Sequence, residues 1–276
     1  MTTATTTTMS TSHRSRRRGD RTGGGLAGAV GSEWTKLWSV RSVWGNLLAS
    51  VLLMAAAAAQ EAVYVVNENA DLDPADDLGV VGLGTVAISS VLLAQFTVLA
   101  LAMLVITAEY ATGAIRATLQ WTPSRGRLLL AKTAVVAVVT FVVGALLGAL
   151  ASAVAHPVLG EWGRFPVAET AGDVLAVATY LSLVGVFTLG LGTALRSAVG
   201  TLTTVFLILM VVPTALGVLG NEFVDRLVDG LPGVAGYHFM SGDTDPYPPA
   251  TGLALLAAWA LAAMLAGYAA LRSRDA

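Results

Sequence analysis

The residues best suited to chemistry or binding lie in one charged segment, residues 106–132, between two long apolar runs. It holds a carboxylate, Glu109, and a guanidinium, Arg116, seven positions later, with Tyr110 beside the carboxylate. Opposite charges this close in sequence can pair with each other, or they can bind the surface of a partner. Both interpretations stay open at this point.

The residue types that enzymes need are missing or badly placed. A P-loop ATPase needs a Gly-Lys pair in its phosphate-binding loop, and the chain contains none. His13, His156 and His238 lie far apart, and none has a second histidine at the spacing of a helical metal site. Serines occur in the apolar runs without a nearby base to activate them. We therefore expect a non-enzyme with no cofactor or metal of its own.

The positions of the basic residues also argue against a nucleic-acid ligand. The basic residues border apolar runs instead of forming a continuous patch, which argues against a nucleic-acid-binding surface. Cysteine is absent, so disulfides and thiolate metal sites are excluded.

The elements that carry these residues are predicted to be membrane-spanning helices. A mean hydropathy of +0.71, with 55% hydrophobic and 12% charged residues, lies outside the range of soluble domains. Crossing a hydrocarbon core of about 30 Å takes about 20 apolar residues in a helix, and lipid leaves the backbone no other partner. Runs of that length predict an all-α, polytopic membrane protein with six transmembrane helices, at about 44–66, 82–106, 128–155, 173–193, 200–220 and 250–271.

The distribution of basic residues predicts the orientation. Fourteen of the sixteen Lys and Arg residues precede the first run, follow the second or fourth, or follow the last, and only Arg164 and Arg226 fall on the other side. The positive-inside rule therefore places both termini in the cytoplasm. The segment 106–132 is then cytoplasmic.

Three further segments complete the predicted organisation. Residues 1–29 are rich in Thr, Arg and Gly and predict a disordered cytoplasmic tail before a membrane domain over residues 30–276. Residues 30–43 have apolar side chains at helical spacing and predict an amphipathic helix at the inner membrane interface. It serves either as a generic anchor or as a contact for a partner. Residues 221–231 predict a short amphipathic helix on the outer face before the last span.

Two features within the spans concern packing. Gly144 and Gly148 form a small-residue face on the third span, which allows close helix contact. Pro213 is expected to kink or unwind the fifth span because it has no backbone N–H.

Several segments together resemble bacterial ABC-2 type transporter permeases. Residues 32–37 (SEWTKL) and 40–44 (VRSVW) resemble the opening of that family, and residues 106–116 (ITAEYATGAIR) resemble its E-[YF]-x-x-G-x-[IL]-R loop after the second span. Residues 272–276 (RSRDA) resemble its basic ending. The chain departs from the pattern at Ala114, where such loops often have Met or Thr. The similarity covers about residues 30–276.

The resemblance implies the six-span membrane subunit of an ATP-binding cassette exporter in the bacterial plasma membrane. Such subunits dimerise in the lipid bilayer, as homodimers or heterodimers, and pair with two copies of a cytoplasmic ABC ATPase subunit, which binds the ATP. In related exporters, a connecting helix before the first span and a helical turn in the first cytoplasmic loop transmit the motion of the ATPase.

The resemblance also implies roles for particular residues. Glu109 and Arg116 are implied to be polar contacts, Tyr110 an interfacial anchor and Gly113 a point of tight backbone approach. The matching positions are Glu33, Trp34, Lys36, Leu37 and Arg41 in the connecting helix and Glu109, Tyr110, Thr112, Gly113 and Arg116 in the ATPase-coupling loop.

Two other classes of function compete with the exporter hypothesis. One is a non-transport polytopic membrane protein, such as an assembly factor or sensor anchor, which would work without an ATPase partner. The other is an intramembrane enzyme, which would depend on a span serine or on Glu61. The lack of a buried base argues against the enzyme.

Overall fold

The computed structural model describes residues 25–70, 77–121 and 124–273, with the side chains at 116, 117, 119 and 121 left out. Most of the predicted tail, residues 1–24, lies outside the described residues. Within them the protein is almost entirely helical. The helices are α1 (Gly25–Ser39), α2 (Arg41–Ala70), α3 (Leu83–Thr112), α4 (Ala114–Trp121), α5 (Arg125–Leu159), α6 (Val167–Leu195), α7 (Ala198–Phe206), α8 (Val212–Gly217), α9 (Glu222–Asp229), α10 (Pro232–Ser241) and α11 (Pro249–Ser273).

Six helical segments are long and apolar enough to cross a membrane, which confirms the predicted all-α, multi-pass class. They are α2, α3, α5, α6, the segment α7 to α8, and α11. Most extend beyond the predicted apolar runs. α3, which contains the second apolar run, continues to Thr112. It ends there because Gly113 has a left-handed backbone, with a φ of 72°.

This extension corrects the predicted loop. Glu109, Tyr110 and Thr112 belong to the last turns of α3, and Lys132 lies two turns inside α5. Among the described residues of segment 106–132, Gly113 and Ser124 are the non-helical ones, and α4 lies between them.

The connecting helix also has different bounds from those predicted. It begins at Gly25, five residues before the predicted boundary at residue 30, and it ends at Ser39. Val40 separates it from α2, and Arg41 is the first residue of α2. Arg41 therefore does not belong to the connecting helix, because that helix ends before Val40 and not after residue 43.

Close contacts between small residues hold the centre of the bundle together. A Cβ at Gly144 would lie 2.8 Å from the Cα of Ala178 in α6, and one at Gly148 would lie 3.4 Å from the Cα of Val174. The predicted small-residue face of α5 therefore packs against α6. On its other side, α6 contacts α11 just as closely, with the position of a Cβ at Gly190 2.5 Å from the carbonyl carbon of Ala263.

Helix ends meet at one end of the bundle, which we call the basic end. The Arg125 guanidinium donates hydrogen bonds to the carbonyls of Leu271 and Arg272, and that of Arg196 donates to the carbonyl of Ala270, 3.3 Å away. These contacts join the start of α5, the end of α6 and the end of α11. At the opposite end, strands Val81–Gly82 and Gly163–Arg164 form a short parallel pair.

The fifth spanning segment and the helices after it are irregular. A π-helical turn, Leu207–Val211, precedes Pro213. The helix is therefore locally underwound next to the proline that was expected to disturb it. The predicted outer amphipathic helix is present as α9, and a further helix, α10, follows it. The carbonyl of Gly230 between them accepts a hydrogen bond of 2.8 Å from the indole N–H of Trp259 in α11.

The close contact between α5 and α6 yields a stability prediction. We expect Gly144→Ala to lower the thermal midpoint in detergent by an amount equivalent to about 1–3 kcal/mol, because the backbone of α6 must move away from the new methyl group. Gly172→Ala is the matched control in α6, because no atom lies within 4 Å of its Cβ position. It should be neutral or slightly stabilising, since alanine is the better helix former. Equal effects of the two substitutions would contradict the packing described here.

Candidate functional site

Four charged side chains from three helices meet at the basic end. Glu33 and Lys36 come from α1, Glu109 from the end of α3, and Lys132 from the start of α5. We call this group the ion network. It contains two carboxylates and two ammonium groups, so its formal charges balance.

Lys132 is the centre of the ion network and is fully buried. Its ammonium donates to Glu33 Oε2 at 2.6 Å, to Glu109 Oε1 at 2.9 Å and to the carbonyl oxygen of Val105 at 3.0 Å. A lysine ammonium has three donors, and all three are used here. This arrangement compensates much of the cost of removing the charge from water.

Glu33 lies on the face of α1 that packs against the bundle, and only 3% of it is exposed. One carboxylate oxygen accepts from Lys132, and the other accepts from Lys36 at 2.7 Å. Ala29, Glu33 and Leu37 recur every four residues and form the buried stripe of α1. Glu33 therefore connects α1 to α5 through the interior.

Glu109 connects the same two lysines from the side of α3. Its Oε1 accepts from Lys132 at 2.9 Å and from Lys36 at 3.1 Å. Its Oε2 is also buried, and no donor among the described side chains reaches it. The partners that the structure shows for Glu109 are thus lysines from α1 and α5.

Lys36 is the half-exposed member of the ion network. Besides the two carboxylates, it donates to the hydroxyl of Thr118 in α4 at 3.3 Å. Burial alone would lower the pKa of Lys36, but its hydrogen bonds to Glu33 and Glu109 and their negative charges outweigh that effect. The net pKa of Lys36 lies above its ordinary value of 10.5.

The remaining predicted residues of the coupling loop are arranged around this centre. The Tyr110 ring lies under the guanidinium of Arg196, 5.0 Å from its centroid. The hydroxyl of Thr112 donates to the carbonyl of Ala108 in its own helix. Arg116 lies in α4, and its side chain is outside the described part of the chain, so a contact between Arg116 and Glu109 stays a prediction.

Gly113 has a role within the chain itself, and the tight approach of a partner that the resemblance implies stays a prediction. Nothing in the described chain lies within 4 Å of the position of its Cβ, so no tight approach occurs within this chain. Its φ of 72° is left-handed, which favours glycine, and its N–H donates to the carbonyl of Tyr110. Gly113 therefore ends α3 and turns the chain into α4.

The predicted residues of the connecting helix divide between two faces. Leu37 is buried with Glu33, whereas Trp34 is largely exposed. The predicted apolar residues of this helix thus divide, with Leu37 towards the bundle and Trp34 on the outer flank, and the face towards the bundle also contains the charge of Glu33. Arg41, at the start of α2, is exposed.

A cavity of about 390 Å³ adjoins the ion network. It opens between α1, the beginning of α2, the end of α3 and α4, and Glu33, Lys36 and Glu109 line it together with apolar side chains. Thr112 and Thr118 form part of its rim. The cavity therefore places three charged side chains beside an apolar surface.

Sequence reasoning singled out Glu33, Lys36 and Glu109 but missed Lys132, which was treated as a topology signal. The available signal was its position inside the third apolar run, where an isolated charge is costly and needs a partner. Its partner Glu33 lies 99 residues away, and no local spacing reveals that pair.

The ion network offers no sign of metal binding, and sequence comparison assigns no relatives. Within residues 25–70, 77–121 and 124–273, no group of three or more His, Cys, Asp or Glu side chains is placed to hold a metal ion. No protein-family model matches the chain, and no curated protein matches it.

The burial of Lys132 predicts a large effect on stability. Lys132→Met should destabilise the fold by about 3–5 kcal/mol, because it leaves Glu33 as a buried carboxylate without its closest cation. Arg127→Met is the matched control: it removes a cation from the same helix at an exposed position. Thermal unfolding in detergent measures both, and the double variant Lys132→Met with Glu33→Met should recover part of the loss. A Lys132→Met protein as stable as Arg127→Met would contradict the ion network.

The raised pKa of Lys36 predicts a pH dependence. A cation whose folded-state pKa is raised contributes fully below its unfolded value and loses that contribution as pH rises through the folded value. The difference in stability between the wild type and Lys36→Met should therefore be constant from about pH 7 to 9 and shrink only above 10.5. Thermal unfolding of both proteins across this range checks the direction. A difference that grew above pH 10.5 would contradict it.

Proposed function

We propose that the chain is the membrane-spanning permease subunit of an ATP-binding cassette exporter in the bacterial plasma membrane. In this proposal both termini and the basic end face the cytoplasm. A separate cytoplasmic ABC ATPase hydrolyses the ATP, and two permease subunits, identical or different, form the translocation unit. The observation that carries the proposal is the ion network, which connects the two segments that resemble the coupling elements of ABC-2 permeases.

The ion network suits the transmission of force. It ties α1 to α3 and α5 through charge-assisted hydrogen bonds of 2.6 to 3.1 Å, and the one from Lys132 to Glu33 is buried. Separating a buried charge from its partner is costly, so a push on α1 moves α3 and α5 before it breaks these contacts. A peripheral protein acting on α1 would thus move two spanning helices together.

The same site offers a place for the ATPase to bind. The hydrogen bond from Lys36 to Thr118 brings α4 to the network, and the cavity of about 390 Å³ lies between these elements. An ATPase element inserted there would touch α1, α3 and α4 at once. The absence of any Gly-Lys pair in the sequence agrees with an ATPase on another chain.

Force delivered at the basic end has a route into the bundle. α5 packs against α6 at Gly144 with almost no space between the backbones, and α6 packs against α11 at Gly190 in the same way. Contacts this close transmit displacement because a packed interior has few voids to absorb it. Movement of α5 is therefore expected to reach α6 and α11, where alternating access would require it.

A substitution at the rim of the cavity tests ATPase docking without disturbing the ion network. Thr112 is exposed, and its hydroxyl contacts only its own helix. We expect Thr112→Arg to abolish co-purification of the ATPase and its stimulated hydrolysis, while thermal unfolding stays unchanged. Thr251→Arg, at an exposed position at the start of α11, is the matched control and should retain both.

The experiment needs membranes of the source cells, in which a partner ABC ATPase would be present at its native level, with a purification tag on the chain. Recovery of no nucleotide-binding subunit with the wild-type chain would overturn the proposal and favour a non-transport membrane protein. Recovery with both variants would leave the ATPase as partner but would place its binding site elsewhere, which contradicts docking at the cavity.

A further inference from the structure

A second groove, separate from the ion network, runs along the outer surface of the bundle between α1, α2 and α5. Its cavity volume is about 350 Å³, and its walls are almost wholly apolar. One wall consists of Trp34 and Trp38 of α1 with the first turns of α2, and the other is α5. The α5 wall consists of Val138, Val139, Val142, Val143, Leu146, Leu147 and Leu150.

The length of the groove matches one leaflet of a bilayer. Its α5 wall extends from Val138 to Leu150, and the twelve helical steps between them correspond to about 18 Å of helix. Half of a hydrocarbon core is about 15 Å thick. A single extended acyl chain entering from the basic end would therefore fill the groove along its length.

Aromatic rings surround the end of the groove nearest the basic end. The rings of Trp34 and Trp38 lie 5.6 Å apart, and those of Trp38 and Trp44 lie 5.3 Å apart. Tryptophan prefers the level of the lipid headgroups, because its ring is apolar and its N–H is polar. This cluster marks the depth at which an acyl chain would join its headgroup.

Positive charge lies beside that aromatic cluster. Arg41 stands one helical turn before Trp44, on the same side of α2, and it is exposed. It forms no ion pair with any carboxylate in the described ranges. The charge next to the groove therefore complements an anionic headgroup.

We propose that this groove is a binding site for one anionic phospholipid of the leaflet at the basic end. Its acyl chain lies against α5 and its headgroup contacts Arg41. A second copy of the chain would cover the apolar wall, whereas an anionic lipid would cover the wall and also pair with the exposed Arg41 at its end. The inference depends on the membrane location of the chain and not on export.

The site has a consequence for α1. The tryptophans contact the groove from the flank of α1, while Glu33 and Leu37 attach the same helix to the bundle. A bound lipid would hold α1 against α5 from the outside, as the ion network does from the inside. Anionic lipid is therefore expected to stabilise α1 in the position described here.

Native mass spectrometry of the full chain, released from detergent with added phosphatidylglycerol or phosphatidylcholine, tests the proposal. The wild type should retain one phosphatidylglycerol at least tenfold more strongly than phosphatidylcholine. Val142→Trp fills the groove at a position that is 49% exposed and should abolish the selective retention. Leu265→Trp is the matched control on α11, 59% exposed and outside the groove, and should not change it.

A second variant separates headgroup recognition from groove filling. Arg41→Gln should weaken retention of phosphatidylglycerol about fivefold, the equivalent of roughly 1 kcal/mol for one basic residue at an anionic surface. Equal retention of the two lipids, or the same effect of Val142→Trp and Leu265→Trp, would overturn the proposal. So would a wild-type dimer that Val142→Trp dissociates, since a second copy would then occupy the groove.

Discussion

A buried lysine ammonium is the constraint on which the basic end of this protein depends. Lys132 has no access to water, so its charge is tolerable only where acceptors surround it. Those acceptors come from α1 (Glu33) and from α3 (Val105 and Glu109), which ties the positions of these two helices to α5. An apolar residue at this position would leave apolar contacts such as those of Leu37 to hold α1 against the bundle.

The rest of the bundle obeys a different constraint, because lipid supplies no hydrophobic driving force between apolar helices. Close packing replaces it. The glycines of α5, α6 and α11 allow backbones to approach to contact distance, and the hydroxyl of Tyr180 donates to Gln95 in the interior at 2.6 Å. The ion network holds the helices together at the basic end, and close packing of the helix backbones holds them together at the centre.

The six long apolar helices could be predicted from the sequence, because hydropathy is averaged over about twenty residues and single polar residues change that average little. Their ends were less predictable, since a helix stops where a residue such as Gly113 ends its hydrogen bonds and not where the apolar run stops. Glu33, Lys36 and Glu109 were found through resemblance. Their assembly with Lys132 joins residues up to 99 positions apart, and only the packing of α1 against the bundle brings them together. The groove and α10 were missed because each depends on the positions of several helices.

The two faces of α1 show how these constraints combine. Its inner face holds Glu33, which cannot leave Lys132 without stranding a buried charge, and its outer flank carries tryptophans that favour the membrane interface. A rigid α1 can therefore move along the membrane surface only if α3 and α5 move with it. The alternative, rotation about its own axis, would expose Leu37 and bury Trp34 against charged groups, which costs free energy on both sides. Translation coupled to the bundle is the less costly motion, and it is the motion that the proposed coupling to a cytoplasmic ATPase would use.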